Sequence, residues 1–164
     1  MCSPGKEGPP ARRTPPRHRE QRREDTLALL TTPAVDAWVA TASPDGAPYV
    51  VPLSLAWVAG QVVLAMPAAS RTARNLAATS AARLGVGPTR DVVMIDATVK
   101  RIVSVADPQV AGTVGEAFAA QADWDPRGDK AQVYVVLRPT RIQAWREADE
   151  IDGRTLMRDG VWLA

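Results

Sequence analysis

Apolar residues fall along this chain in short runs of strand length, separated by turn formers. Runs at 36–43, 49–57 and 61–66 read as three successive β-strands. Pro44-Asp45-Gly46 and Ala59-Gly60 stand between them as turns, because proline presets φ and glycine takes the backbone conformation other residues avoid. The 61–66 run is apolar at successive positions, which suits burial on both faces. Ser70 occupies an N-cap position and opens a helix that reaches about Thr79. A fourth strand is expected at 82–87, and a long fifth at 91–105 with a bulge near Asp96. Pro108 begins a second helix that stops before Trp124-Asp125-Pro126. Another long strand spans 132–146, where Pro139 demands an edge or a bulge. The chain closes with a hairpin around Asp159-Gly160. Upstream, EDTLALL at 24–30 predicts a short helix ended by Thr31, Thr32 and Pro33. Many closely spaced strands with brief helices point to a β-barrel with helical inserts. Strands and helices do not alternate one for one, which argues against a doubly wound sheet.

Composition changes this picture mainly at the N-terminus. The 164 residues allow one domain and one core, here 24–164, preceded by a Pro/Arg-rich stretch at 1–23 that buries little and is expected to be disordered. The first 25 residues hold seven Lys/Arg against four Asp/Glu, so the chain's net +2 leaves the remainder at −1. A nearly neutral domain gives no reason to expect a nucleic-acid partner. No apolar run is long enough to span a membrane, and MCSPGKEGPPARR lacks the apolar segment of a secretory signal. With Cys2 the single cysteine, a cytoplasmic location is expected.

Candidate chemistry is defined by subtraction. His18 is the one histidine, and it lies in the predicted tail. Histidine triads, histidine–metal sites and an axial haem histidine within the fold are therefore disfavoured, and no metal site is expected. Asp91, Asp96, Asp123 and Asp125 carry no mark of a paired-carboxylate site, and Glu147, Asp149, Glu150 and Asp152 read as a solvated loop. A chain so poor in acid–base and nucleophilic groups suits a reaction carried by a cofactor. The best anionic site is Ser70–Asn75, where a helix N-terminus combines with hydroxyls and a guanidinium. The same residues also describe an ordinary capped helix with Arg71 and Arg74 in water.

The order and spacing of VATASPDGAPYVVPLSLAW, GQVVLA, SRTARNL and DVVMIDATVKRIV resemble the pyridoxamine 5′-phosphate oxidase-like family of flavin-binding split barrels, over roughly residues 36–145. The resemblance implies a mainly β fold with short helices, a six-stranded antiparallel split β-barrel, forming a homodimer with FMN at its interface. It implies Val51, Pro52, Leu53 and Ser54 along the flavin ring and ribityl chain, and Leu64 and Ala65 beside it. Ser70, Arg71, Thr72 and Asn75 would serve the phosphate. Trp145, followed by Arg154, resembles a late tryptophan and arginine near flavin and substrate. The vitamin-pathway oxidases carry cations where this chain has Val51 and Ala56, a lysine at Thr72, and a C-terminal histidine absent here. The activity implied is thus an FMN-dependent oxidoreductase acting on some other small molecule. The alternatives are the deazaflavin coenzyme F-420 on the same fold, and a flavin-binding module without turnover. A haem-handling split barrel is a further option, weakened by the lack of a histidine in the fold.

Overall fold

The computed structural model describes residues 15–163. Among them the order is α1 (Arg19–Leu30), β1 (Asp36–Ala42), β2 (Pro48–Val58), β3 (Gln61–Pro67), α2 (Arg71–Thr79), β4 (Ala81–Val86) and β5 (Val92–Ser104). There follow α3 (Pro108–Val110), a π-helical turn (Ala111–Gly115), α4 (Glu116–Ala122), β6 (Gln132–Trp145), β7 (Thr155–Arg158) and β8 (Val161–Trp162). The strands form one sheet in the order β3-β2-β1-β4-β5-β6-β7-β8. β3 also pairs antiparallel with β6, from Val62 opposite Leu137 to Pro67 opposite Gln132. That pairing closes β1–β6 into the expected six-stranded antiparallel barrel, and β7 and β8 extend beyond it.

Two hairpin turns show why their residues were recognisable. Ala59 and Gly60 both have positive φ, as do Asp159 and Gly160. Positive φ at both central residues is the type I′ geometry, whose twist matches that of the strands it joins.

β6 has three partners. Up to Leu137 it pairs with β3, from Arg141 it pairs with β7, and β5 accompanies both halves. Pro139 stands in the gap between the first two ladders and faces a register shift at Asp96/Ala97. A residue without an N–H is tolerated at such a place. The bulge expected at Asp96 and the one expected at Pro139 are the same irregularity.

Two packed cores divide the apolar residues. Val39, Leu55, Leu64, Leu84, Ile95, Leu137 and Ile142 fill the barrel. Ala56, Val63, Ala65, Tyr134 and Val136 face outward and are covered by Val110, Val114 and Phe118. β3 is therefore buried on both faces, as its unbroken apolar run predicts.

The disordered tail expected at 1–23 requires correction. Residues 1–14 lie outside the described part, but the rest of that stretch is ordered, with α1 beginning at Arg19 rather than Glu24. Arg22, Thr26 and Leu30 recur at helical spacing on its buried face. Glu150, read as a solvated loop acid, is only 3% exposed. Its carboxylate accepts from Arg17 N, Nε and Nη2 at 2.8, 3.0 and 2.8 Å, and from Arg146 N at 2.9 Å. Arg17 also donates to Asp25 and Asp91. Charges this buried persist because each finds an opposite partner. Local pattern cannot reveal such a pairing, since Arg17 and Glu150 are 133 positions apart.

Hydrogen bonds from Arg17 draw the Glu150 carboxyl down from 4.5 to about 2. A carboxylate depressed by folding contributes its stabilisation above the unfolded pKa and loses it as pH falls through the folded one. Glu150→Gln should therefore be less stable than the parent by roughly 3 kcal/mol at neutral pH. That difference should shrink as pH falls from 4.5 towards 2. Urea unfolding at both extremes checks it, and a pH-independent difference would oppose this assignment.

Candidate functional site

One end of the barrel is crossed by α2, and the local chemistry follows from how that helix is held. Ser70 caps it by accepting from Ala73 N at 3.1 Å. Thr72, Ala73, Asn75 and Leu76 make its buried face. Asn75 Nδ2 donates to Thr41 Oγ1 at 3.0 Å and ties the helix to β1. Arg71 projects from the exposed face with its guanidinium 4.8 Å from the centre of the Tyr49 ring. Stacking occupies the face of the guanidinium and leaves its in-plane N–H groups available. Arg74 is engaged differently, donating from Nη1 to the Ala69 carbonyl.

Among the described residues, the amides of Arg71 and Thr72 and the Arg71 guanidinium have no hydrogen-bond partner. Uncommitted amides at a helix N-terminus, a nearby hydroxyl and an oriented cation form a donor set suited to a phosphate. Asp45 is the nearby acid. The Ser43 hydroxyl chiefly, with a smaller contribution from Arg71, holds its carboxyl below the ordinary value.

The other residues implied by resemblance are distributed less simply. Thr72 and Asn75 turn inward, at 3% and 5% exposure, so Thr72 offers a phosphate its amide rather than its hydroxyl. Along β2 the side chains alternate. Pro52 and Ser54 lie in the outer row opposite Trp38 and Asp36, while Val51 and Leu53 lie in the row opposite the buried Val39 and Ala37. A ligand on the outer face would touch Pro52 and Ser54 but not Val51 and Leu53. Leu64 belongs to the barrel core and Ala65 to the second core, so neither side chain lines an open surface.

Trp145 is half-buried, with the Arg154 guanidinium 5.8 Å from its ring centre. It pairs with Val92, one step from the level of Ala144, Val93, Val86 and Ala37. Thr41 and Tyr49 pair near the opposite end of β1. At about 3.3 Å per residue, the two ends are separated by roughly 15 Å or more along the strands. Within one chain the Trp145–Arg154 pair and the Ser70–Arg71 pair are not brought together.

Two features escaped the sequence reading. Trp38 is 60% exposed and joins Val50 and Pro52 in an apolar row on the outer face of β1 and β2. Its signal was the alternation that sets it between the buried Ala37 and Val39. A groove of about 250 Å³ runs there, lined by Trp38, Pro52, Gly85 and Gly87 among others. Tyr49 is the second feature, since its contribution is to orient Arg71. Tyr134, by contrast, is fully buried beneath the second core, and burial raises its pKa.

Comparison with known proteins agrees with this architecture. The family described as pyridoxamine 5′-phosphate oxidase matches residues 19–146. Among solved structures, an F420 reductase is similar at 26% identity and a TM-score of 0.58, covering 70% of this chain and 93% of the other. A conserved hypothetical protein from Mycobacterium tuberculosis shares 17% identity at a TM-score of 0.63, covering 77% and 85%. A heme binding protein from Mycobacterium smegmatis shares 19% at 0.61, covering 90% of this chain and 60% of its own. At such identities the last two show a common fold alone. A search of curated proteins found no match.

The Asn75–Thr41 bond supplies a direct test of how α2 is seated. Asn75→Ala should destabilise the protein by about 1–2 kcal/mol, because it leaves a buried hydroxyl without its donor. The double variant with Thr41→Val should cost less than the two single losses combined. Chemical denaturation of the four proteins measures both quantities.

Proposed function

The chain belongs to the pyridoxamine 5′-phosphate oxidase family, and from that premise we propose that it binds a phosphate-bearing flavin-type cofactor and acts as an oxidoreductase on a small molecule. The uncommitted donors at the start of α2 carry this reading. Ser70 Oγ, the Arg71 and Thr72 amides and the Tyr49-stacked Arg71 suit a phosphate monoester in charge, number and direction. When bound, the flavin supplies two-electron chemistry at its ring. The chain's own residues hold the phosphate, orient the ring, and exclude water with the apolar row of Trp38 and Pro52.

Departures from the vitamin oxidases fit the structure. Ala56 replaces a family cation and is fully buried in the second core, where a lysine could not stand without a partner. Phosphate binding in this chain therefore falls chiefly to Arg71. A second reading, the deazaflavin coenzyme F-420, is favoured by one observation: the chain is similar to an F420 reductase at 26% identity, above the level of fold likeness alone. Haem is not disfavoured by want of a histidine in the fold, because His18, the one histidine of the chain, stands at the N-cap of α1 rather than in a disordered tail.

The separation of Trp145–Arg154 from Ser70–Arg71 supports a site completed by a second copy. The outer apolar row of Trp38, Val50 and Pro52 is the face we assign to that homodimer. Trp38→Asp should then convert the dimer to a monomer at micromolar concentration on sizing. A parent protein already monomeric would refute the assignment.

Cofactor identity is checked by the absorbance spectrum and mass of what the purified protein releases, after expression where both FMN and F-420 are present. A flavin or deazaflavin is expected. Haem, or a protein that takes up neither cofactor, would overturn the proposal. Arg71→Ala should weaken cofactor binding by about 1.5–3 kcal/mol, roughly ten- to hundred-fold.

A further inference from the structure

Arg17 and Glu150 lie just outside the family-matched span of 19–146, and together they fasten the segment that follows β6. Their side chains are 8% and 2% exposed, with Nη2 to Oε2 at 2.8 Å. The same carboxylate accepts from the Arg146 amide, while the Arg146 guanidinium goes to Asp91 at 2.9 Å. Arg22, from the buried face of α1, donates Nη1 to the Glu150 carbonyl at 3.1 Å. A short 3-10 turn, Ala148–Glu150, is thus held from both its side chain and its backbone.

The next residues carry that restraint to Arg154. Ile151 directly follows Glu150, and its carbonyl accepts from Arg154 Nη1 at 3.2 Å. The Arg154 carbonyl accepts from Ala144 N at 2.9 Å, and the Arg154 guanidinium lies over Trp145. Fixing Glu150 therefore fixes the carbonyl that aims the Arg154 cation. An exposed turn rich in Glu, Asp and Gly has no apolar burial of its own to do this.

We propose that Arg17 and Glu150 are positioning residues for Arg154, a clasp from the N-terminal segment that sets where this cation stands beside the cofactor. The proposal rests on the reading of a flavin-type site that Trp145 and Arg154 complete. Arg17 acts through Glu150, and Glu150 acts through the 148–154 turn. Neither touches the ligand.

Two variants and two readouts test it. Glu150→Gln keeps the size but removes the charge, and Arg17→Lys keeps the charge but removes the forked donor geometry. In both, amide hydrogen exchange over 146–154 should quicken about tenfold or more beyond any change over 71–79, which reports the general loss of stability. Unchanged protection over 146–154, or a quickening no greater there than over 71–79, would overturn the clasp. With FMN as the probe, Glu150→Gln and Arg154→Ala should each weaken binding about tenfold, and the double variant by no more than either alone. Losses that multiply to about a hundredfold would show that Glu150 does not act through Arg154. A parent that binds neither FMN nor F-420 refutes the proposed function, and the exchange comparison then decides the clasp alone.

Discussion

The barrel depends on β6 changing partners at Pro139. A six-stranded sheet closes only if one strand reaches back to the first, and β6 does so over Gln132–Leu137 before turning to β7 from Arg141 onward. Proline's missing N–H falls where neither ladder needs it. Asp96, facing the irregularity, pins it: its carboxylate accepts from Arg83 and Arg141 at 3.0 and 2.7 Å, and its carbonyl from Thr140 Oγ1 at 3.1 Å. Closure leaves the edges of β1–β6 paired, which removes the hazard of open strands. It also fixes the two ends of the barrel, and each end receives one of the two cation–aromatic pairs that the proposed function places beside the cofactor.

Arg71 over Tyr49 and Arg154 over Trp145 share a physical design. A ring orients each guanidinium by its face, and the donors at its edge stay available to an anion or a carbonyl. They differ in what supports them. Arg71 sits on a capped helix whose buried face is bonded to β1, a rigid element of the barrel. Arg154 sits on an irregular turn and draws its order from the N-terminal segment. The Arg71 end is thus built into the fold, whereas the Trp145 end is assembled from the two extremities of the described chain.

Much of this was legible because it is local. Ser70 announced α2, Ala59-Gly60 and Asp159-Gly160 announced their hairpins, and Asp96 and Pro139 announced the bulge, each through backbone preferences of one or two residues. The unbroken apolar run of 61–66 announced a strand with two buried faces. What could not be read is non-local. Arg17 and Arg22 look like solvated charges until Glu150 is brought to them from the far end of the sequence. The family comparison pointed to four consecutive β2 residues along one cofactor, but strand alternation divides them between two faces. Leu64 and Ala65 were assigned beside the flavin, whereas each fills a core. The resemblance singled out Trp145 and Arg154 separately, whereas their contact and its distance from Arg71 follow only from the folded chain.

The account stands or falls on a phosphate at the start of α2. Titrating the protein with FMN and with riboflavin, which differ in that group alone, measures its contribution directly. The structure predicts that FMN binds at least about tenfold more tightly, and that Arg71→Ala removes most of the difference. Equal affinity for the two ligands in the parent protein would contradict it.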